Sequence, residues 1–481
     1  MRHQLSHLAP LVSILLLTPP SGCLSRAGFQ SPVQDDAQRE GGAEDGRGDG
    51  TGLDAGSTDG LSSPEDGRSD GQIPSVTING WSFVHGAGSA GLNHDTTEAA
   101  TYPNFAIHGG KLFVTWLENR GVNQVRVAVY NGDDNSPGWA TFDGGAATGL
   151  NWDPTHAATK PSLTSFNGNL HLLWSEEDGT QKRQVRAALH VGTGATEWAF
   201  IDGDAASGLN WAPNQTVGYQ EMIVFDDRLY AIWDEDSPSN SEQVRVAVFN
   251  GDLTTPTWSF VDGDTGLGIN HDTSQSAKAP ELLPFNGKLY ASWRENHQVR
   301  AKVYNGQDAA PIWASIDGGG DGLNFRADKD VFDVEMVVAG GKLYLAWEEM
   351  NGSDIENVRA AVYNGNDAAP SWTFIDGGGA DGLNYDTTKL IENPQAVAVD
   401  SVIYATWYEV GPDKKTQVRV RAYGGDDTAP NWVFIDGDQP SGLNRSAGAN
   451  AIHPQLIIFE QRLYSTWSEG SPGQIYVAVG K

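Results

Sequence analysis

The residues best suited to bind a ligand lie in a loop that recurs in every copy of an internal repeat. In four copies a side chain with a ring directly precedes an aspartate, immediately after Gly-Leu-Asn or Gly-Ile-Asn. A flat ring can cover the apolar C–H face of a sugar, and a neighbouring carboxylate can accept hydrogen bonds from its hydroxyl groups. The pattern predicts carbohydrate-binding sites at His94 and Asp95, Trp152 and Asp153, His271 and Asp272, and Tyr385 and Asp386.

A structural role for the same loop is an equally open interpretation. The ring could fill the gap between neighbouring repeats while the aspartate caps the turn that follows it. The other three copies carry Trp211-Ala212, Phe325-Arg326 and Arg445-Ser446 at these positions. All seven loops have the same length up to the next strand, so their geometry is expected to be fixed.

The repeat itself is marked by Trp-x-Glu after a short apolar run, and it predicts the fold. Successive tryptophans lie 54 to 60 residues apart, at Trp116, Trp174, Trp233, Trp293, Trp347, Trp407 and Trp467. Each unit contains four short segments rich in β-branched and aromatic residues and bounded by Gly, Asn, Asp or Pro, which is typical of strands. Seven units of four antiparallel strands, here named A to D in chain order, predict an all-β, seven-bladed β-propeller over residues 74–481.

The two ends of the repeat region predict how this ring closes. The first segment, Trp81-Ser-Phe-Val, corresponds to a strand D, whereas the chain stops after a strand C at Gln474-Ile-Tyr-Val-Ala-Val. The N-terminal strand is therefore expected to complete the last blade, which protects the sheet edges.

A second constellation joins the Glu of Trp-x-Glu to the Arg of a Gln-Val-Arg or Asn-Val-Arg motif in strand C. Hairpin pairing predicts that each Glu and Arg form a charge-assisted pair that locks the blade, although both are also effective sugar ligands. The arginines are Arg126, Arg186, Arg245, Arg300, Arg359 and Arg419, and Tyr476 replaces the seventh.

Two further sets raise the question of a cation. One polar residue of strand A recurs in every unit, and if strand A is innermost these residues line the channel, as solvated polar groups or as an acidic arc that holds a cation. They are Asn104, Ser162, Glu221, Glu281, Glu335, Gln395 and Gln455. Asp-Gly-Asp occurs at 202–204, 262–264 and 436–438, a weak calcium signal that turn formation also explains, so no metal site and no cofactor are predicted.

Upstream of the repeats the chain changes character twice. Residues 1–22 have Arg2, an apolar stretch and small residues before Cys23, and they resemble a bacterial lipoprotein signal in which Cys23 becomes lipidated. Residues 23–73 are rich in Gly, Asp, Ser and Glu and predict a disordered tether. The resemblance implies an exported protein, anchored by lipid alone to the outer membrane or cell surface of a bacterium.

The net charge and the distribution of motifs argue against two classes of function, nucleic-acid binding and catalysis. The net charge of −31 argues against nucleic acid as a partner. The strongest signals recur around the ring, whereas catalysis usually needs an asymmetric group, so the chain is predicted not to be an enzyme. A glycosidase built from two acids of different units stays open as an alternative.

The repeat plan resembles that of bacterial and fungal propeller lectins, in which a small ring carries several similar sugar sites. This resemblance covers the whole repeat region and is architectural, so it transfers no individual residue. Together with the ring-plus-Asp pattern it implies a membrane-anchored protein that binds glycans multivalently. The alternative is a scaffold that binds surface proteins.

Overall fold

The computed structural model describes residue 78 and residues 80–481, apart from 87–89, 146–147, 193, 196, 204–206, 240, 264–266, 321, 378, 380–381 and 438–439. This part of the chain is all-β, in seven sheets of four antiparallel strands arranged as a propeller. The predicted signal at 1–22, Cys23 and the tether at 23–73 lie outside the described residues. None of the described residues forms a helix of the length and hydropathy needed to cross a bilayer.

The strands follow the repeat. Blade 1 contains β2 (Ala100–His108), β3 (Lys111–Asn119), β4 (Asn123–Tyr130) and β5 (Trp139–Thr141). Blade 2 contains β6 (Ala158–Phe166), β7 (Asn169–Glu177), β8 (Arg183–His190) and β9 (Trp198–Phe200). Blade 3 contains β10 (Val217–Phe225), β11 (Arg228–Asp236), β12 (Glu242–Phe249) and β13 (Trp258–Phe260). Blade 4 contains β14 (Ala277–Phe285), β15 (Lys288–Glu295), β16 (Gln298–Tyr304) and β17 (Trp313–Ser315).

The remaining blades repeat this order. Blade 5 contains β18 (Val331–Ala339), β19 (Lys342–Met350), β20 (Glu356–Tyr363) and β21 (Trp372–Phe374). Blade 6 contains β22 (Ile391–Val399), β23 (Val402–Val410), β24 (Thr416–Tyr423) and β25 (Trp432–Phe434). Blade 7 contains β26 (Ala451–Phe459), β27 (Arg462–Glu469), β28 (Gln474–Gly480) and β1 (Trp81–Phe83).

The ring closes as the sequence predicted, because β1 pairs antiparallel with β28, with Trp81 opposite Gly480. The same indole hydrogen bond crosses every joint between blades, from the first Trp of strand D to a carbonyl of the preceding blade. At the closure Trp81 Nε1 donates to the Ile435 carbonyl at 2.8 Å, and Trp139 Nε1 donates to the Val84 carbonyl at 2.8 Å. The joint between the first and last blades is therefore equivalent to the other six.

Packing places strand A innermost, where the A strands of neighbouring blades contact each other around the axis. The Trp of Trp-x-Glu is buried in all seven blades and anchors the apolar core between sheets. Each strand A carries a β-bulge near its start, as between Thr101 and Asn104 in blade 1. A bulge redirects side chains next to it, and here it lies at the rim that also holds the D-to-A and B-to-C loops.

Candidate functional site

The Glu of Trp-x-Glu holds the D-to-A loop in place. Glu176 accepts hydrogen bonds from the backbone N–H groups of Trp152 at 2.8 Å and Asp153 at 2.7 Å, and from the indole of Trp174 at 2.8 Å. The same three donors meet the equivalent Glu in the other six blades. The best-kept motif of the repeat is thus explained by loop anchoring, and a buried carboxylate with three donors is well satisfied.

The Asn before each ring ties the same loop to the preceding blade. The side chain of Asn151 accepts from the Val125 N–H at 2.9 Å and donates to the carbonyls of Asn123 at 2.9 Å and His156 at 2.8 Å. Glycine is required two residues earlier, because a Cβ on Gly149 would lie 2.5 Å from the Val125 carbonyl oxygen and its φ is +57°. The equivalent Asn accepts from a strand C N–H in the other six units, so this part of the loop is held in the same way throughout.

The predicted ring residues lie exposed on this rim, each over its own blade. Trp152 is 36% exposed and Tyr385 38%, and His94 and His271 are exposed as well. Part of each larger ring is covered, because the Arg186 guanidinium carbon lies 4.5 Å from the Trp152 ring centroid and that of Arg419 lies 3.8 Å from the Tyr385 ring centroid. A sugar would therefore meet a ring that is partly covered by arginine.

The aspartates beside the rings cap the following turn. Asp153 Oδ1 accepts from the backbone N–H of Thr155 at 2.9 Å and from its hydroxyl at 2.6 Å, and these bonds hold the pKa of Asp153 below its usual value. The same cap occurs at Asp95, Asp272 and Asp386. Each ring and its Asp stay adjacent, and the four pairs lie on four separate blades. Their ligand-binding role stays a prediction.

The prediction that the Glu and the strand C arginine pair with each other was wrong. Arg186 Nη1 lies 3.0 Å from Asp202 Oδ2, at the end of strand D, and the equivalent pair forms in blades 1 to 6. The register explains this, since Arg186 is opposite Trp174 whereas Glu176 is opposite Gln184. The arginine is therefore directed toward strand D.

Asp-Gly-Asp gives no calcium site among the described residues. The first aspartates, Asp202, Asp262 and Asp436, are each within 3.2 Å of an arginine nitrogen, and the second ones lie outside the described residues. In the part of the chain that the structure describes, no three His, Cys, Asp or Glu side chains are grouped to hold a metal ion.

The polar residues of strand A do not line the channel as solvated groups, because all seven are buried. They connect neighbouring blades. Asn104 Oδ1 accepts from the Leu163 N–H at 3.3 Å, Glu281 Oε2 accepts from the Met336 N–H at 2.7 Å, and Gln395 donates to Glu335 at 2.8 Å.

A cluster of chemically different side chains surrounds the axis at the bulge of strand A. The bulge residue differs between blades, and from blade 1 to blade 7 it is Tyr102, Lys160, Tyr219, Ala279, Asp333, Asn393 and His453. Five of them have φ between 49° and 55°, a conformation uncommon for residues other than glycine and associated with functional sites. We call this set, with the side chains directly behind it, the axial cluster.

Contacts between blades bring the bulge residues together. Tyr102 stacks on His453 with ring centroids 3.9 Å apart, and Lys160 Nζ lies 2.6 Å from the centroid of the Tyr219 ring. The amide of Asn393 donates to Asp333 Oδ2 at 2.7 Å. Each contact joins two neighbouring blades, so three pairs of bulge residues are packed against each other near the axis.

In blades 3 and 5 the middle residue of Trp-x-Glu contacts the backbone of the bulge residues. Asp234 Oδ1 accepts from the backbone N–H of Tyr219 at 2.9 Å and from that of Ala279 at 3.3 Å. Glu348 Oε1 accepts from the backbone N–H of Asn393. These carboxyl groups are thereby fixed beside the bulge.

Burial changes the protonation of the axial cluster. Desolvation raises the pKa of Asp234 to about 6, and it raises the pKa of Glu356 to about 7, together with the charges of Glu392 and Asp333. Desolvation also raises the pKa of Glu348 well above its usual value, and it lowers the pKa of His453 to about 3. Burial therefore favours the neutral form of His453 and disfavours ionisation of these carboxyl groups.

Sequence analysis missed the axial cluster although one signal was present. The middle residue of Trp-x-Glu is the variable position within the best-kept motif, and it is Leu117, Ser175, Asp234, Arg294, Glu348, Tyr408 and Ser468 in turn. Variation at one position of an otherwise constant motif indicates that the residue there is not needed for the common structure of the blades and has another role.

No protein-family model and no curated protein matches the chain. Among solved structures, the chain is similar to an ulvan lyase, described as a new family of polysaccharide lyase bound to -[GlcA(1-4)Rha3S]-. Identity is 12%, the TM-score is 0.51, and 83% of this chain and 96% of the lyase are covered. A Penicillium chrysogenum α-L-arabinanase complexed with arabinobiose gives 12% identity, a TM-score of 0.40, and coverage of 66% and 92%. A Podospora anserina α-L-arabinofuranosidase in complex with cellotriose gives 12% identity and a TM-score of 0.34. The match covers 55% of this chain and 90% of the arabinofuranosidase.

These neighbours correct the prediction that the chain is not an enzyme. The ulvan lyase supports the propeller fold and is itself an enzyme, so a propeller of this kind gives no ground for excluding catalysis. The prediction was wrong because it relied on the residues that recur in every blade, and these residues hold the loops and strands in place. The axial cluster lies at equivalent positions but is asymmetric, so a repeated frame does not prevent a single catalytic group.

Proposed function

We propose that the protein is a carbohydrate-active enzyme that cleaves glycosidic bonds at the axial cluster. The main support for this proposal is that the seven equivalent bulge positions hold six different residue types, among them Lys160, Asp333 and His453. A structural role alone would favour the same residue in every blade, as at Trp-x-Glu. Divergence at equivalent positions, five of which have a backbone conformation uncommon outside glycine, instead fits a site that needs each group once.

The buried charges support the same proposal. Asp234, Asp333 and Glu348 are each at most 3% exposed, and desolvation raises all three pKa values. Ionisable groups with strongly shifted pKa values are costly to bury and concentrate at catalytic sites.

Glycan as the substrate class is supported by the rim. The exposed rings of Trp152 and Tyr385 lie on the face that also holds the bulges, and similar loops carry His94 and His271. We propose that these ring-plus-Asp loops bind a long glycan at several points, so that weak single sites act together through avidity. The axial cluster then acts on the segment that reaches the axis.

Attachment to a membrane is a further part of the proposal. The signal-like residues 1–22 followed by Cys23 support a lipid anchor, and the acidic segment 23–73 would tether the propeller at a bacterial surface. Metabolic labelling with a radioactive fatty acid tests this, since Cys23→Ser should abolish incorporation. Equal labelling of wild type and variant would contradict the anchor.

Blade 4 offers a way to test the axial cluster without disturbing the fold. Ala279 adopts the bulge conformation with φ 53°, so alanine is compatible with this position. The full chain should release reducing ends from at least one member of a panel of neutral and acidic polysaccharides. The double variant Lys160→Ala, Asp333→Ala should lose this activity by about 10²-fold or more.

The matched control is Leu253→Ala, since Leu253 is exposed in a C-to-D turn on the opposite face. It should keep wild-type activity. The proposal is refuted if the wild type cleaves no polysaccharide, or if the double variant cleaves as fast as the control.

A further inference from the structure

We propose that a cleft in blade 6 binds one neutral sugar unit of the glycan, and that Gln417 selects this unit by accepting a hydrogen bond from one of its hydroxyl groups. This inference rests on the proposed function and names its class of glycan. It depends on the lining of the cleft, on two oxygen atoms that lack donors, and on a glycine at the mouth.

The cleft lies on the rim between two loops of blade 6. The D-to-A loop before β22 forms one side with Tyr385 and Asp386, and the B-to-C loop between β23 and β24 forms the other with Val410 and Pro412. Pro440, from the D-to-A loop that follows blade 6, also lines it. Tyr385, Pro412 and Pro440 are exposed, so a ligand can reach the cleft from solvent. Its free volume of about 20 Å³ is room for one hydroxyl group or one water molecule, and the rest of a sugar unit would lie over the exposed walls.

The Tyr385 ring is held in position before any ligand binds. The guanidinium carbon of Arg419 lies 3.8 Å from its centroid, and the Phe434 ring meets it edge-on with centroids 5.2 Å apart. The charge of Arg419 is balanced, since its Nε lies 3.2 Å from Asp436 Oδ2. A ring fixed in this way offers a flat surface to the C–H groups of a sugar and loses little conformational entropy on binding.

Two oxygen atoms at the cleft lack a hydrogen-bond donor. Gln417 is 2% exposed and donates from Nε2 to the Ala447 carbonyl at 3.3 Å, but its buried Oε1 accepts no hydrogen bond among the described residues. Asp386 Oδ1 accepts from Thr388, whereas Oδ2 has no hydrogen-bond partner in the part of the chain that the structure describes. A buried acceptor without a donor is unfavourable, and a ligand hydroxyl group that donates to it removes this cost.

Access to the acceptor distinguishes blade 6 from the other blades. The equivalent glutamine oxygen also lacks a donor among the described residues in Gln124, Gln184, Gln243 and Gln474. The fourth residue after the Trp of Trp-x-Glu is Gly411 in blade 6, and a Cβ there would lie 3.2 Å from Cγ of Gln417. A side chain at this position therefore narrows the cleft beside Gln417. The other six blades all have a side chain there, on Arg120, Asp178, Ser237, His297, Asn351 and Ser471.

The chemistry of the cleft favours an uncharged sugar. Apart from the ring, its outer walls are a valine and two prolines, and the two oxygen atoms without donors can only accept, so the ligand has to supply hydroxyl donors. The Asp386 carboxylate opposes a carboxylate or sulfate group on the ligand. Lys389, Lys414 and Lys415 belong to the same two loops but do not line the cleft. The ligand is therefore a neutral glycan.

Calorimetry on the full chain tests the class of ligand. The probes are neutral hexasaccharides of hexose, pentose or 6-deoxyhexose units, and oligogalacturonate of the same length. At least one neutral hexasaccharide should bind, and more tightly than oligogalacturonate. Tighter binding of oligogalacturonate, or binding of none of these oligosaccharides, would overturn this inference.

A pair of glycine variants tests the cleft itself. Gly411→Asn places the residue of blade 5 at the mouth and should weaken binding of that hexasaccharide by at least about tenfold. Gly424→Asn is the matched control and should bind as the wild type does. Gly424 begins a C-to-D turn on the opposite face, where four other blades have asparagine. Equal affinities of Gly411→Asn and the wild type would show that the cleft holds only water and would overturn the inference.

Monodeoxy derivatives of the bound hexasaccharide test Gln417 in the wild-type protein. Loss of one particular hydroxyl group should weaken binding by about tenfold, because a buried acceptor then keeps no donor. For Gln417→Leu this derivative and the parent sugar should bind equally. A wild type that binds every monodeoxy derivative as tightly as the parent sugar would overturn the role of Gln417.

The cleavage assay separates this inference from the proposed function. Polysaccharide cleavage by the wild type, together with unchanged affinity of Gly411→Asn, would overturn the subsite alone. Affinity lost in Gly411→Asn, with a wild type that cleaves no polysaccharide, would overturn cleavage at the axial cluster and support the subsite.

Discussion

The guanidinium carbon of Arg445 lies 5.4 Å from the centroid of the Tyr476 ring, and this pair reverses the arrangement of four other blades. In blades 2, 3, 5 and 6 the D-to-A loop supplies the ring and strand C supplies the arginine, as for Trp152 and Arg186. In blade 7 the two side chains have exchanged positions while their contact is retained. The contact itself therefore fastens the loop to the blade.

A double-mutant cycle measures this contact. Arg445→Leu and Tyr476→Leu should each lower the free energy of unfolding, and their coupling energy should be about 0.5–2 kcal/mol, as for a partly desolvated cation–π pair. Chemical denaturation of the four proteins gives this value. Purely additive effects would contradict a stabilising pair.

Loss of the carboxylate that anchors the D-to-A loop should lower the free energy of unfolding. Glu176→Ala leaves the N–H groups of Trp152 and Asp153 and the indole of Trp174 without their acceptor, so unfolding free energy should fall by about 2–4 kcal/mol. Glu177→Ala, at the half-buried neighbouring position, is the control and should change it by less than about 1 kcal/mol. Similar melting temperatures for both variants would argue against the anchoring role.

The rim rings should contribute to glycan binding more than to stability. Trp152→Ala and Tyr385→Ala should weaken binding measured by calorimetry, at a stability cost of about 1–2 kcal/mol, because each ring is more than a third exposed. Ile312→Ala, which removes an exposed apolar side chain elsewhere, should leave binding unchanged. Unchanged affinity in both ring variants, with a large loss of stability, would assign the rings to packing alone.

The axial carboxyl groups should make stability depend on pH. The pKa of Glu356 rises from 4.5 to about 7 on folding, so the folded state binds this proton more tightly than the unfolded state. The contribution of Glu356 is therefore fully present below pH 4.5 and is lost as the pH rises through about 7. Glu356→Gln should reduce this fall in unfolding free energy, and an unaltered pH profile would contradict the shift.

The fold could be predicted from sequence because its determinants repeat. Trp-x-Glu, the turn residues and the displaced strand at Trp81 each recur or complete a recurring unit, so a single pattern fixes strand number, blade number and closure. The pairing of Arg186 with Asp202 could not be predicted, since it depends on which residues lie opposite each other in the hairpin.

The axial cluster lay beyond sequence analysis for a different reason. Lys160, Asp234, Asp333 and Glu348 belong to four strands in three blades and meet only when the ring closes. The bulge that directs Lys160 and Asp333 inward has no sequence signature of its own, as tyrosine, alanine and histidine also occupy it.

Glu348 and its neighbour Glu349 provide the most direct test of the central claim. The claim is that the variable middle residue of Trp-x-Glu serves catalysis, whereas the constant Glu stabilises the blade. Cleavage rate and unfolding free energy should be measured together for Glu348→Gln and Glu349→Gln. Glu348→Gln should lose at least about 10²-fold in rate with stability unchanged or increased, since a buried acid becomes a neutral amide. Glu349→Gln should keep the rate while losing about 1–3 kcal/mol, because its amide opposes the three N–H donors. Equal rates for Glu348→Gln and wild type, or loss of activity in a stable Glu349→Gln, would contradict the account.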